Sequence, residues 1–148
     1  MLCFFVSDLH GRLNRYERLF EAIAEQHPQA VFLGGDLTPS GLMHSNARER
    51  DFITDFLVAN FRRLKMTLGP EYPKVFIILG NDDARVEENA IIKAESLNIW
   101  EYSHNRKIDW EGYSIYGYAY VPPSPFLLKD WERYDVSRFV DPGCIPPT

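Results

Sequence analysis

Three largely apolar runs divide the first part of the chain, at residues 2–7, where only the last residue, Ser7, is polar, and at residues 30–33 and 75–79. Each run has the length of a strand and lacks the alternation of apolar and polar positions that a half-exposed strand shows. A strand that is apolar throughout belongs in a parallel sheet whose two faces are covered by helices. The pattern therefore predicts three strands of one buried parallel sheet.

Helical periodicity fills the intervals between these predicted strands. Apolar residues recur at spacings of three and four over residues 12–26 and again over residues 47–68. Pro28 and Pro70 follow the two segments, and a proline there ends a helix. The order β-α-β-α-β predicts an α/β fold with a parallel-sheet core and right-handed crossovers.

The second half of the chain predicts shorter elements. A helix around residues 86–96 is expected, followed by strands near residues 98–101, 106–109 and 113–120. Prolines then crowd residues 121–148, which predicts an irregular tail. No shift in composition marks a domain boundary, so the 148 residues are expected to form a single domain.

Composition narrows the class of protein. An apolar content of 45% indicates a packed core, and a net charge of −5 argues mildly against a nucleic-acid backbone as the main partner. No segment has the length and composition of a signal peptide or a membrane span. Cys3 and Cys144 make no disulfide framework. We expect Cys3 to be a buried free thiol and the protein to be cytoplasmic.

Polar side chains suited to metal binding follow each of the three apolar runs. Asp8 and His10 come after the first, Asp36 after the second, and Asn81 and Asp82 after the third. In a parallel sheet these strand ends meet at one edge. On an extended backbone, two residues two positions apart share a side, so Asp8 and His10 are expected to point together while Leu9 points into the core. Several carboxylates gathered there would repel by about 4 kcal/mol per close pair at an effective dielectric of 20, which favours bound cations.

These residues resemble the motifs of the calcineurin-like metallophosphoesterases, which run Asp-x-His, Gly-Asp and Gly-Asn-His-Asp/Glu, each at a strand end. The resemblance implies part of that family's four-layer sandwich fold and a centre of two divalent ions, such as Mn, Fe or Zn. Asp8 and His10 would hold the first ion, Asp36 would bridge both, and Asn81 would hold the second. It also implies a phosphate-ester substrate, hydrolysed by attack of a metal-bound hydroxide.

The chain departs from the family motifs at two places. Asp82 stands where the family has a histidine that contacts the phosphate, so Asp82 is the candidate catalytic residue and a phosphodiester is favoured over a monoester. No histidine follows His104, so the later family motifs are absent. We therefore expect the amino-terminal part of a longer domain, completed by a missing carboxy-terminal segment or by a second chain.

Other readings of the same residues stay open. A non-catalytic scaffold of the same fold would bind protein partners instead of an ester. A receiver-type domain with one magnesium ion would not explain His10 and Asn81 at strand ends. His44 is a candidate proton donor in place of the missing imidazole, and residues 122–126 followed by Trp131 are candidates for a substrate wall. The alternatives are a solvated loop residue for His44 and a packed loop for the wall. His104 is expected to be an ordinary residue of a polar turn.

Overall fold

The computed structural model describes residues 1–40, 51–135 and 138–148. The main elements follow one another as strands and helices in alternation, with a hairpin at the end. They are β1 Cys3–Val6, α1 Leu13–Gln26, β2 Ala30–Gly34, a π-helical segment Phe52–Val58 that continues as α2 Ala59–Leu68, β3 Lys74–Ile78, α3 Glu88–Ala94, β4 Glu101–Tyr102, β5 Lys107–Trp110 and β6 Tyr113–Tyr116. Short 3₁₀ turns cover Gly69–Glu71, Arg85–Glu87 and Glu95–Leu97.

The predicted parallel sheet is confirmed, and it has a fourth strand. Its order is β1-β2-β3-β4, with every neighbouring pair parallel. Leu33 pairs with Val6 on one side and Ile77 on the other, so the carboxyl ends of the first three strands lie side by side. The strands β5 and β6 form a separate antiparallel hairpin. This architecture brings the three polar segments of the sequence to one edge of the sheet.

The helix α1 forms where the apolar periodicity predicts it. Tyr16, Leu19 and Ile23 lie on one face and are buried in the core. The helix ends at His27, whose left-handed backbone allows its N–H to bond to Ile23 O, and Pro28 prevents continuation. Tyr16 anchors the first turn of the helix, since its hydroxyl donates to Leu37 O at 2.7 Å. The core thus fixes α1 against the loop that follows β2.

The strand β1 corrects two expectations. We expected both of its faces to be covered, but Phe5 is 74% exposed. Cys3 is also exposed, so it is not the buried thiol that the apolar run indicated. Cys3 and Phe5 are two residues apart and therefore face the same side of the sheet, which is open to solvent at β1. A run of apolar residues does not reveal whether a second layer covers both sides.

Candidate metal centre

The backbone at the strand ends adopts an unusual conformation. Asp8, His10 and Asp36 have φ angles of 59°, 49° and 53°, in the left-handed region that side chains other than glycine rarely occupy. We expected an extended backbone to align Asp8 with His10, and that reason was wrong. Leu9 does point into the core, where it is 4% exposed. Strained backbone at three potential ligands is typical of a functional site held in place by its surroundings.

Backbone hydrogen bonds join the loop after β1 to the loop after β2. Asp8 N–H donates to Gly35 O at 3.1 Å, and His10 N–H donates to Asp36 O at 2.8 Å. Gly11 continues the series by donating to Leu37 O at 2.9 Å. These bonds pair the two loops residue by residue, so the left-handed turns cannot relax independently.

Three of the four predicted metal ligands converge. Asp8, His10 and Asp36 each offer a ligand atom, and these atoms all lie within 4.8 Å of one another. Oxygen and nitrogen donors at this spacing fit one divalent ion. Asn81 and Asp82 line the same cavity as these three residues, a space of about 570 Å³. The donor set therefore fits a divalent metal, with Asn81 on the wall of the same cavity.

The carboxylate of Asp36 lies at the centre of this arrangement. Burial raises the pKa of its carboxyl group above the ordinary value, and the charges of Asp83 and Asp8 raise it further. A hydrogen bond from Asp82 N–H to Asp36 Oδ1, at 2.8 Å, acts in the opposite direction. The loop after β3 approaches closely because of Gly80, since a Cβ there would overlap the Asp36 side chain and backbone nitrogen.

Asp83 is a structural residue of the site, a role that the sequence did not indicate. Its side chain is fully buried and accepts hydrogen bonds from four donors. These are the N–H groups of Leu37, Thr38 and Gly80 and the Thr38 hydroxyl, at 2.7–3.1 Å. Asp83 thereby holds the loop after β2 against the loop after β3. In the sequence it is one of two adjacent aspartates, and nothing there says which of them is buried.

Asp82 points toward a predicted metal ligand. Its Oδ2 lies 3.2 Å from His10 Nδ1, and Ser40 Oγ donates to its Oδ1 at 3.1 Å. The other ring nitrogen of His10, Nε2, lies 3.7 Å from Asp8 Oδ1. The two nitrogens of His10 therefore face different carboxylates, Nδ1 that of Asp82 and Nε2 that of Asp8.

Apolar residues line part of the same cavity. This apolar wall consists of Pro125, Phe126, Leu127 and Leu128, and its first two residues belong to the segment that we expected to form a substrate wall. A nearly buried ion pair fixes this loop, with Lys129 Nζ 2.8 Å from Glu132 Oε2. Burial alone would raise the pKa of Glu132, but hydrogen bonds from Lys129 and Ser124 lower it overall. The wall is thus anchored although the tail has little regular structure.

The remaining histidines lie away from the ligand cluster or outside the described chain. His104 lies in the expected turn, which the bond from Arg106 N–H to Ser103 O closes at 3.0 Å. It is only 8% exposed, and its Nδ1 accepts a hydrogen bond from Ala119 N–H at 3.0 Å. Burial lowers its pKa below the ordinary imidazole value. His44 lies outside the described residues.

Within the described ranges, none of the helices combines the length and hydrophobicity that crossing a membrane requires.

Comparison with known proteins gives a consistent result. Two crystal structures share the fold. That of TT1561 of Thermus thermophilus has a TM-score of 0.63 and 18% identity, and the match covers 90% of this chain and 57% of that one. A second crystal structure has a TM-score of 0.56 and 16% identity, and the match covers 89% of this chain and 58% of that one. This chain therefore spans less than three fifths of either structure. No curated protein sequence matches significantly. A family model described as calcineurin-like phosphoesterase matches residues 1–137, and the chain belongs to that family.

Proposed function

We propose that this chain carries the amino-terminal half of a metal-dependent phosphoesterase centre, and that it hydrolyses a phosphodiester in preference to a monoester. The observation that carries the proposal is the convergence of Asp8, His10 and Asp36 within 4.8 Å, in a chain of the calcineurin-like phosphoesterase family. Divalent ions held there would polarise the phosphoryl group and lower the pKa of a water molecule. The protein's own contribution is to fix the ligands by the paired loops and to shape the cavity around the ester.

Two ions are proposed, sharing Asp36. One would be held by Asp8, His10 and Asp36, and the other by Asp36 and Asn81, which lines the same cavity. Asp36 suits the bridging role because the bond from Asp82 N–H uses one lone pair of Oδ1, and the carboxylate has further lone pairs for metal ions. The second ion would have few ligands from the described residues. We propose that a further segment or a second chain supplies the rest, and the open face around Phe5 offers apolar surface for such a contact.

The preference for a diester follows from charge and space. A phosphate monoester carries up to two negative charges and a diester only one, so a carboxylate at Asp82 disfavours the monoester more. The cavity also includes the apolar wall of residues 125–128, which gives the second organic group of a diester a surface to contact. The cytoplasmic location remains a prediction.

The test compares turnover of bis(p-nitrophenyl) phosphate and p-nitrophenyl phosphate in the presence of Mn²⁺. Asp36→Asn keeps an oxygen for the bond from Asp82 N–H but removes the charge, so it should reduce kcat/KM for the diester by about 100-fold or more. Asp55→Asn makes the same chemical change at an exposed residue outside the cavity and should leave turnover unchanged. The assay uses the protein together with the segment or partner chain that completes the second ion's ligands. Turnover of that wild-type assembly no higher than that of its Asp36→Asn variant would exclude hydrolysis and favour the non-catalytic scaffold.

A further inference from the structure

We propose that Asp82 is a positioning residue that fixes His10 in the tautomer with Nδ1 protonated, so that the lone pair of Nε2 faces the metal. Asp82 then acts through His10 instead of contacting the ester. The inference rests on the proposed function because it concerns the same metal centre. It assigns Asp82 a role different from that of the family histidine in whose place it stands.

The geometry of His10 separates its two nitrogens. Nδ1 lies 3.2 Å from Asp82 Oδ2, within hydrogen-bond distance, and Nε2 lies 3.7 Å from Asp8 Oδ1. A neutral imidazole has one N–H and one lone pair, whereas an ionised carboxylate only accepts hydrogen bonds. A proton on Nδ1 satisfies Asp82, whereas a lone pair on Nδ1 would face another lone pair. Asp82 therefore selects the tautomer that leaves Nε2 free to bind a metal.

The surroundings of Asp82 hold its carboxylate in this orientation. Ser40 Oγ donates to Oδ1 at 3.1 Å, so the two oxygens have separate partners. The backbone of Asp82 is fixed as well, because its N–H donates to Asp36 Oδ1 at 2.8 Å. The Asp82 side chain is 30% exposed and that of His10 33%, so a partner is needed to keep the ring from rotating in solvent.

This arrangement explains how a carboxylate can occupy a position beside a phosphate site. A carboxylate directed at the ester would repel it, but one hydrogen-bonded to a metal-binding imidazole increases the basicity of that ligand and orients the ring. Loss of such an outer partner typically weakens metal affinity by about 10–100-fold. Asp82 would thus strengthen metal binding without touching the substrate.

The first experiment measures the His10 tautomer in the metal-free protein by long-range ¹H–¹⁵N NMR of the imidazole at about pH 8.5, above the ordinary imidazole pKa of about 6.5. The wild type should show protonated Nδ1 in at least about tenfold excess over protonated Nε2. Asp82→Leu should give a mixture of tautomers. Asp82→Asn can present either its oxygen or its NH₂ group to Nδ1, so it should give a preference weaker than that of the wild type.

The second experiment measures Mn²⁺ affinity by calorimetry on the same proteins. Asp82→Leu should raise the Kd by about 10–100-fold, Asp82→Asn should recover part of that loss, and Asp109→Leu, at an exposed residue of β5, should have no effect. Protonated Nε2 in the wild type, or unchanged tautomer and affinity in a folded Asp82→Leu variant, would overturn the proposal. The wild-type spectrum decides even if Asp82→Leu fails to fold. Absence of Mn²⁺ binding by the wild type would instead contradict the proposed function.

Discussion

Replacing Asp83 by asparagine should destabilise the chain far more than the same change at its neighbour Asp82. Asp83 is fully buried, and its Oδ2 accepts the Gly80 N–H at 2.8 Å while its Oδ1 accepts bonds from Thr38. An asparagine can satisfy one side only, because its NH₂ group would face the N–H of the other. The introduced NH₂ group and the backbone N–H that it faces then both lack acceptors in a buried position. Each costs about 1–3 kcal/mol, so the expected loss is about 2–6 kcal/mol.

Urea unfolding followed by tryptophan fluorescence measures this loss. Trp131 is a suitable reporter since it is fully buried and its indole N–H donates to Asp83 O at 2.8 Å. With an m-value of about 2 kcal/mol/M, the midpoint should fall by about 1–3 M. Asp82→Asn is the matched control, and its partly exposed side chain should cost about 1 kcal/mol or less. Equal losses for the two variants would refute the argument that Asp83 holds the loops together.

Two further predictions concern pH and close packing. The unfolded imidazole of His104 takes up a proton near its ordinary pKa of about 6.5, whereas burial lowers the folded pKa. The unfolded state therefore binds more protons below that pH, and the free energy of unfolding should fall as the pH drops, by at most about 1.4 kcal/mol per unit from this group. Urea unfolding at about pH 7.5 and 5 measures this difference in the free energy of unfolding, and His104→Leu should remove the part that His104 contributes. A pH difference unchanged by His104→Leu would contradict this role of His104. Gly80→Ala should raise the Kd for Mn²⁺ about tenfold or more, because its methyl group would displace Asp36. Gly69→Ala strains a backbone with φ of 55° but would meet no atom within 4 Å, so the folded variant should leave the Mn²⁺ titration unchanged. Equal effects of the two variants would argue against displacement of the ligand.

The order of apolar runs was sufficient to predict the sheet. The runs that became β1, β2 and β3 pair in parallel as expected, because continuous apolar segments separated by helices leave few other arrangements. The exposure of Phe5 was not predictable in the same way. Whether the second face of an edge strand is covered depends on parts of the structure that are distant in sequence.

The candidate site shows the same division between residue types and their geometry. The positions of Asp8, His10 and Asp36 at successive strand ends predicted that they would meet, and they do. Their left-handed backbone was not visible in the sequence, since it arises from hydrogen bonds between loops separated by more than twenty residues. Each residue alone would avoid that conformation, and only the paired loops stabilise it.

The amino-acid sequence by itself determined the strands, the crossover helices and the family motifs. These depend on the local pattern of apolar residues and on the residues that follow each strand. The roles of the adjacent pair Asp82 and Asp83 depended on tertiary contacts. Two identical side chains next to each other received opposite surroundings, one fully buried among backbone N–H groups and the other beside His10. Burial and hydrogen-bond partners are properties of the folded chain, since most of the groups that supply them come from loops more than forty residues away.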